Sequence, residues 1–118
     1  MTRVTRPMRA TERPVSESDF QQTVIQLAKL NGWLVYHHRP VQVRRKEGSE
    51  YWTTPMAGDP GYPDLTLARR GRVIFAELKS EKGKPSDAQL GWLVSLPNSY
   101  VWKPSDWNSI VELLAKGA

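Results

Sequence analysis

The chain has 118 residues and carries 17 Lys and Arg against 12 Asp and Glu, with two His and no Cys. This length fits a single domain with its own apolar core, and the lack of cysteine excludes a disulfide framework, a thiolate zinc site and a thiol nucleophile. No apolar run reaches membrane-spanning length and the first residues lack the apolar stretch of a signal peptide, so we predict a cytoplasmic protein without a membrane partner.

Two segments contribute strongly to the net charge of +5. Residues 1–14 hold four Arg and one Glu without apolar periodicity, which predicts a disordered basic tail ahead of one domain spanning 15–118. The second basic segment contains Arg39, Arg44, Arg45 and Lys46. Basic patches favour nucleic acid through phosphate contacts, so these four residues are candidate DNA contacts, with solubility alone as the alternative.

The first predicted element is a helix that begins after the N-cap residue Ser16 and ends at Asn31-Gly32. Phe20 and Val24 belong to its apolar face. Glu17 precedes Phe20 by three residues and Val24 by seven, so we expect it on the same inward face, in the first turn.

A strand rich in aromatic and aliphatic residues follows over 33–37. Residues 39–57 form a basic insert in which a short hairpin that turns near Gly48 is possible. His37 precedes this insert, so a DNA contact is possible beside the commoner structural role of a histidine.

Aromatic residues fall into two groups. Tyr51 and Trp52 lie in the insert beside the basic residues and are candidates for base stacking. We expect Trp33, Trp92 and Trp107 in the core or on a dimer surface.

The remaining elements follow from strand alternation and helix-start signals. We predict strands over 65–68 and 73–79, a helix that begins at Ser86, a strand over 99–103 and a final helix. The predicted apolar face of the helix after Ser86 consists of Leu90, Leu93 and Val94. The order α-β-(insert)-β-β-α-β-α predicts a mixed sheet flanked by helices, in the α/β or α+β class.

The two central strands form a hairpin around Arg69-Arg70-Gly71-Arg72. A turn of even length centred between Arg70 and Gly71 would place Asp64 opposite Glu77. Directly opposed residues have Cβ atoms about 4.5–5.5 Å apart, and like charges in opposition destabilise a sheet. A turn of odd length would remove this pairing.

An opposed acid pair needs a cation between the carboxylates or a proton on one of them. Mg²⁺ takes carboxylate oxygens and keeps several waters, so a divalent metal is the simplest solution. Lys79 lies two residues after Glu77 and shares its strand face. The ordinary alternatives are a surface ion pair between Glu77 and Lys79, and a turn role for Asp64.

The residues around this hairpin resemble a known nuclease family. Pro63-Asp64 and Glu77-Leu78-Lys79 resemble the PD-(D/E)XK signature. The longer stretches Gly61-Tyr62-Pro63-Asp64-Leu65, Phe75-Ala76-Glu77-Leu78-Lys79-Ser80 and Gly83-Lys84-Pro85-Ser86-Asp87-Ala88-Gln89 resemble its VRR-NUC branch, in particular the stand-alone phage and bacterial members. The resemblance covers residues 15–114, and the insert at 39–57 does not match it.

The resemblance implies a restriction-endonuclease-like core that hydrolyses DNA phosphodiesters with Mg²⁺ or Mn²⁺, in a bacterial or phage-infected cell. Asp64 and Glu77 would bind the metal together with the backbone carbonyl of Leu78, and Glu17 would complete the shell, through water. Lys79 would orient or activate the attacking water and stabilise the transition state.

Gln89 has two interpretations. In the resemblance it contacts the scissile phosphate or supports the site. Ser86-Asp87-Ala88-Gln89 is also a capping box, which explains a glutamine at this position without any catalytic role.

The expected substrate and partner follow from further basic residues and from the family resemblance. Lys82 and Lys84 follow Lys79 and are further candidate DNA contacts. Stand-alone members of the family are associated with Holliday-junction cleavage as homodimers, so we expect branched DNA as substrate and a second copy as partner. The alternatives are a DNA-binding module without turnover, a flap nuclease and an enzyme that acts on RNA.

Overall fold

A computed structural model describes residues 15–38, 41–53 and 57–117. The predictions for the tail at 1–14 and for Arg39 lie outside these residues. The elements in chain order are α1 (Glu17–Leu30), β1 (Leu34–His37), β2 (Val41–Arg44), β3 (Glu50–Thr53), β4 (Leu65–Arg69), β5 (Arg72–Leu78), α2 (Asp87–Ser95), β6 (Ser99–Trp102), a 3₁₀ turn (Pro104–Asp106) and α3 (Trp107–Lys116). None of the described helices is long and apolar enough to cross a membrane.

Four strands form the main sheet, in the order β1-β4-β5-β6. β4 is antiparallel to both of its neighbours, whereas β5 and β6 are parallel and are joined through α2. The predicted element order and the mixed α/β class are therefore confirmed.

α1 and α3 cover one face of the sheet and enclose the core. The buried apolar residues of this core are Phe20, Val24, Ile25, Ala28, Trp33, Leu65, Leu67, Ile74, Ala76, Leu78, Trp102, Ile110 and Leu114. Burial of these side chains stabilises the fold by about 25 cal/mol for each Å² of apolar surface removed from water. β4 and β5 each contribute alternate residues to this face, which leaves their other residues free to form a site on the opposite face.

Arg69 ties the ends of α1 and α3 together at the end of the sheet where the β4–β5 turn lies. Its guanidinium donates to the carbonyl oxygens of Asn31, at 2.6 Å, and of Leu114, at 3.2 Å, and lies over the Trp33 ring. The Trp33 indole N–H also donates to Leu114 O, at 2.9 Å. A cation at two helix C-termini complements both helix dipoles.

α2 lies on the opposite face of the sheet from α1 and α3. The predicted inward face of this helix is wrong in part: Leu90 is 44% exposed and Val94 is 82% exposed, whereas Trp92 and Leu93 are half-buried. The helix packs through the Trp92 ring, whose centroid lies 5.1 Å from that of Tyr62. A nine-residue helix with apolar residues spread around it does not specify by its sequence which side faces the sheet.

The basic insert forms its own two-stranded sheet from β2 and β3. Gly48 has a φ of +103° in the connecting turn, and Arg45 N–H donates to Ser49 O. The predicted hairpin that turns near Gly48 is confirmed.

Candidate metal centre

The register of β4 and β5 is the one predicted from the sequence. Thr66 opposes Phe75, and the ladder runs to the pair Leu65–Ala76, so that Asp64 and Glu77 are the next residues beyond it. Asp64 Oδ2 accepts a hydrogen bond from the backbone N–H of Leu78, at 2.8 Å. This bond fixes the Asp64 carboxylate against the end of β5.

Glu77 is the one buried charged side chain among the described residues, with 1% of its surface exposed. Its Oε2 atom accepts from Gln89 Nε2 at 2.8 Å and lies 3.5 Å from Lys79 Nζ. Its Oε1 atom is buried and accepts a hydrogen bond from no N–H or hydroxyl donor in the described part of the chain. A buried, incompletely paired carboxylate destabilises a fold, and such groups are concentrated at functional sites.

The pKa of Glu77 is raised from 4.5 to about 8. Burial is the largest cause, followed by the negative charge of Asp64 and by a hydrogen bond with the Asp64 carboxylate, whereas Lys79 lowers the pKa. Without a metal the acid pair therefore holds a proton at neutral pH. A bound cation or a proton on one carboxylate can relieve the repulsion between the two acids, and without a metal the proton does so.

Lys79 lies on the same face of β5 as Glu77, and its side chain is only 16% exposed. Its backbone N–H donates to Trp102 O, at 3.0 Å, which anchors it to β6. Gly83 packs against the aliphatic stem: a Cβ at Gly83 would lie 3.4 Å from Lys79 Cβ. The lysine is thereby held at the acid pair instead of extending into solvent.

Gln89 completes the predicted capping box and also contacts the buried Glu77 carboxylate. Its Oε1 atom accepts from Ser86 N–H at 2.8 Å, which with Ser86 Oγ completes the capping box of α2. Its Nε2 atom donates to Glu77. The N-terminus of α2 is therefore attached to the buried carboxylate through one amide group.

The loop before Asp64 sets the position of α2. Gly61 has a φ of +96°, and a Cβ on it would lie only 2.5 Å from the carbonyl carbon of Ala88 and 2.8 Å from Gln89 N. Only glycine allows this approach. The sequence shows a glycine-rich loop here, but it does not reveal that the loop touches the helix that carries Gln89.

The ligands available at the acid pair suit Mg²⁺ or Mn²⁺, which keep several bound waters, better than a metal ion that is coordinated by protein atoms alone. In an extended strand the N–H and C=O of one residue point to the same side, so the Leu78 carbonyl faces the side on which its N–H meets Asp64. Two carboxylates, one carbonyl and waters suit Mg²⁺. Glu77 Oε1, which accepts from no N–H or hydroxyl donor among the described residues, is a ligand atom available for such an ion.

Among the described residues, no third acidic side chain joins the pair. Glu17 is exposed, so the expected inward position of this side chain is wrong. The residues that the structure describes contain no group of three or more His, Cys, Asp or Glu side chains able to hold a metal ion. As an acid in the first turn of α1, Glu17 complements the helix dipole instead.

The predicted DNA contacts are distributed over several surfaces. Lys82 and Lys84 are exposed on the loop between Lys79 and the cap of α2, next to the site in the chain. The exposed basic residues of the β2–β3 hairpin are Arg44, Arg45 and Lys46. Arg44 pairs with Glu50 at 2.9 Å, and Arg45 lies over the Tyr51 ring, 4.1 Å from its centroid.

His37 and His38 face opposite sides of the sheet. His37 opposes Leu65 and therefore shares the face that packs on the core. His38 lies against Tyr36 and Tyr62, on the face that carries the acid pair. Both histidines precede the basic insert in the sequence, and the structure brings His38 rather than His37 to the side of the candidate metal centre.

No protein-family model matches the chain, and neither the curated proteins nor the solved structures contain a match to it.

Proposed function

We propose that the protein is a metal-dependent DNA endonuclease of the restriction-endonuclease-like type. The observation that carries the proposal is the buried Glu77 carboxylate, which opposes Asp64 and has one oxygen that accepts from no N–H or hydroxyl donor in the described part of the chain. An apolar side chain at this position would stabilise the sheet more, because two acids in opposition repel each other. The pair is therefore better explained by a cation that it binds than by a structural role.

Asp64, Glu77 and the Leu78 carbonyl would hold the Mg²⁺ or Mn²⁺ ion. When bound, the ion supplies charge stabilisation for the phosphate oxygens and for the leaving oxygen. The protein residues contribute orientation: Leu78 N–H fixes Asp64, and Gln89 Nε2 fixes Glu77. Glu17, which is exposed, takes no part in this shell.

Lys79 is the cationic group of the site. Its ammonium lies 3.5 Å from Glu77 Oε2 and is largely screened from solvent. In this position it can donate hydrogen bonds to the attacking water or to a phosphate oxygen, where negative charge develops in the transition state. We assign to it the orientation of the water and the stabilisation of that charge.

DNA is the proposed substrate because basic residues flank the site in the chain. Lys82 and Lys84 lie on the loop that joins Lys79 to α2, and the β2–β3 hairpin carries three further basic side chains. The motif resemblance to the VRR-NUC branch supports the same substrate class. Branched DNA, and a homodimer that places two sites in symmetric opposition, follow from that resemblance, since resolution of a four-way junction requires two cuts.

The test is a cleavage assay with end-labelled duplex, single strand, 5′ flap, 3′ flap, bubble, four-way junction and one RNA, each in Mg²⁺ and in Mn²⁺. Asp64→Asn is the control, because an amide oxygen can still accept from Leu78 N–H while the negative charge is lost.

We expect wild-type protein to cut at least one DNA substrate and Asp64→Asn to cut none. Paired symmetric cuts in the four-way junction would support a dimeric resolvase, and cuts restricted to flaps would indicate a nuclease that engages one branch. Full activity of folded Asp64→Asn would contradict the proposal. Binding of DNA without cleavage by the wild type would favour the alternative of a binding module without turnover. Cleavage of RNA alone would show that the substrate is RNA.

A further inference from the structure

A second concave feature, the aromatic cleft, lies beside the candidate metal centre. Its walls include Tyr36, His38, Tyr62 and Trp92, and the loop at 57–59 borders it. The cleft has a volume of about 510 Å³, which lies within the usual range of about 300–1,000 Å³ for small-molecule sites. Tyr36 opposes Thr66, so the cleft opens on the sheet face that carries Asp64 and Glu77.

The rings of the cleft form a chain of edge-to-face contacts centred on Tyr62. The centroid of Tyr62 lies 5.9 Å from that of His38 and 5.1 Å from that of Trp92, and Tyr36 lies 5.6 Å from His38. Neighbouring ring planes are 80–81° apart. Such an arrangement fixes the rings against one another and leaves Tyr36, which is 61% exposed, as the solvent-facing wall.

The polar groups of the cleft suit a neutral occupant. His38 Nε2 is buried and has no hydrogen-bond partner among residues 15–38, 41–53 and 57–117. A ligand that bonds to this nitrogen would remove the cost of leaving it unpaired. Among the described residues that line the cleft, Asp59 carries a carboxylate and none is Lys or Arg, so a phosphate group is repelled there. A flat, neutral group with hydrogen-bonding edges does.

The cleft and the metal centre are built on the same elements. Tyr62 precedes Asp64 by two residues, and its hydroxyl is 3.0 Å from Thr66 Oγ1 on β4. Trp92 follows Gln89 by three residues on α2, and its indole N–H donates to Pro60 O, at 3.0 Å. A group in the cleft is therefore held by the loop and the helix that position the two carboxylates.

We propose that the aromatic cleft binds one unstacked nucleobase of the DNA strand whose phosphate lies at Asp64 and Glu77. This inference rests on the proposed function and adds a substrate requirement to it: the enzyme acts where a base next to the cut is unpaired. The base stacks on the aromatic wall and forms a hydrogen bond with His38. Stacking on aromatic side chains accepts any of the four bases, because each has a π-face.

The experiment removes single nucleobases from the DNA and the Tyr36 ring from the protein, and it compares the effects of the two changes on DNA affinity. A forked DNA, with a duplex and two single-stranded arms, is prepared as a series in which each molecule lacks one nucleobase at a position across the branch. Affinity is measured by fluorescence anisotropy in Ca²⁺ for wild type, Tyr36→Ala, Tyr36→Phe and Leu34→Ala. Leu34 is the matched control because it lies on the same strand and face as Tyr36 and is 76% exposed, but does not line the cleft.

For the wild type we expect one position at which loss of the base weakens binding about tenfold. In Tyr36→Ala that penalty should fall below about twofold, whereas Tyr36→Phe and Leu34→Ala should retain it. The absence of such a position, or an equal penalty in Tyr36→Ala, overturns the inference.

Cleavage of the intact fork in Mg²⁺ is measured in parallel to separate the two proposals. Cleavage without a base-specific penalty overturns the role of the cleft and leaves the nuclease standing. A penalty that depends on Tyr36, without cleavage of any DNA, supports the cleft as a base site and contradicts the nuclease. Absence of all DNA binding overturns both.

Discussion

Gln89 Nε2 donates to Glu77 Oε2 over 2.8 Å, while Oε1 of the same amide accepts from the backbone N–H of Ser86. One side chain thus completes the N-terminal cap of α2 and orients the buried carboxylate of β5. Replacement of a capping residue ordinarily lowers the free energy of unfolding by about 1 kcal/mol. Here the same residue also determines the orientation of the buried Glu77 carboxylate.

Gln89→Ala should therefore lose activity beyond its loss of stability. We expect a reduction in single-turnover cleavage rate of roughly tenfold or more, because Glu77 loses the donor that fixes it. Ser86→Ala is the matched control, since it removes one bond of the same capping box without touching Glu77. It should lose about 1 kcal/mol of stability and retain the cleavage rate. Equal rate losses in the two variants would show that the cap alone matters.

The raised pKa of Glu77 predicts how stability depends on pH in the absence of metal. Between pH 4.5 and about 8 the folded protein binds a proton that the unfolded chain has released. Stability should therefore fall as pH rises through this window, by at most about 1.4 kcal/mol per pH unit, and level off above it. Thermal unfolding in EDTA from pH 5 to 9 measures this. Glu77→Gln should remove most of the slope, and a wild-type slope unchanged by that substitution would assign it to other groups.

Metal binding should release the proton held by the acid pair. Below pH 8 the apparent affinity for Mn²⁺ should weaken about tenfold per pH unit, because the ion displaces one proton from Glu77. Calorimetry at pH 7 in two buffers of different ionisation enthalpy counts the protons released. We expect a value near one for the wild type and no measurable binding for Glu77→Gln. Binding that does not change with pH would argue that the ion does not contact this carboxylate.

Lys79→Ala should lower the cleavage rate more than it lowers DNA affinity. The ammonium lies at the carboxylate pair, so its loss removes charge stabilisation in the transition state, worth roughly a hundredfold in rate. Lys84→Ala serves as the comparison, because this exposed lysine on the neighbouring loop should affect affinity and its salt dependence instead. Single-turnover rates at saturating protein, together with binding in Ca²⁺, separate the two effects. A pure affinity loss in Lys79→Ala would remove its assignment to the chemical step.

Gly61→Ala should lower activity, although Gly61 itself does not contact the acid pair. The added Cβ would meet the backbone of Ala88 at 2.5 Å and push α2 and Gln89 away from Glu77. Gly71→Ala is the control, because Gly71 also has a positive φ, +79°, has no atom within 4 Å of an added Cβ, and does not line the aromatic cleft. Both variants bear the backbone strain of about 1–2 kcal/mol, and only Gly61→Ala should also lose activity. Equal activities at equal stability would show that the contact between loop and helix does not position Gln89.

The register on which the site depends was predictable from local sequence, on the condition that the β4–β5 turn has an even length. Arg70 and Gly71 both have positive φ, as in the two-residue hairpin turns that match the twist of the strands. A two-residue turn and a strand period of two are local properties, so they specify from the sequence that Asp64 lies beyond the ladder opposite Glu77 and that Lys79 shares the face of Glu77.

The groups that surround Asp64 and Glu77 depend on packing between distant segments. Glu17 followed the helical pattern of its neighbours, yet it is exposed in the first turn of α1. The side of α2 that faces the sheet depends on the contact with Gly61 and Tyr62, which lie far from it in the chain. Likewise, only the packed fold shows that one amide of Gln89 serves both the cap and Glu77. Helical and strand periods specify which residues share a face, whereas the neighbour of that face is selected by packing between distant segments.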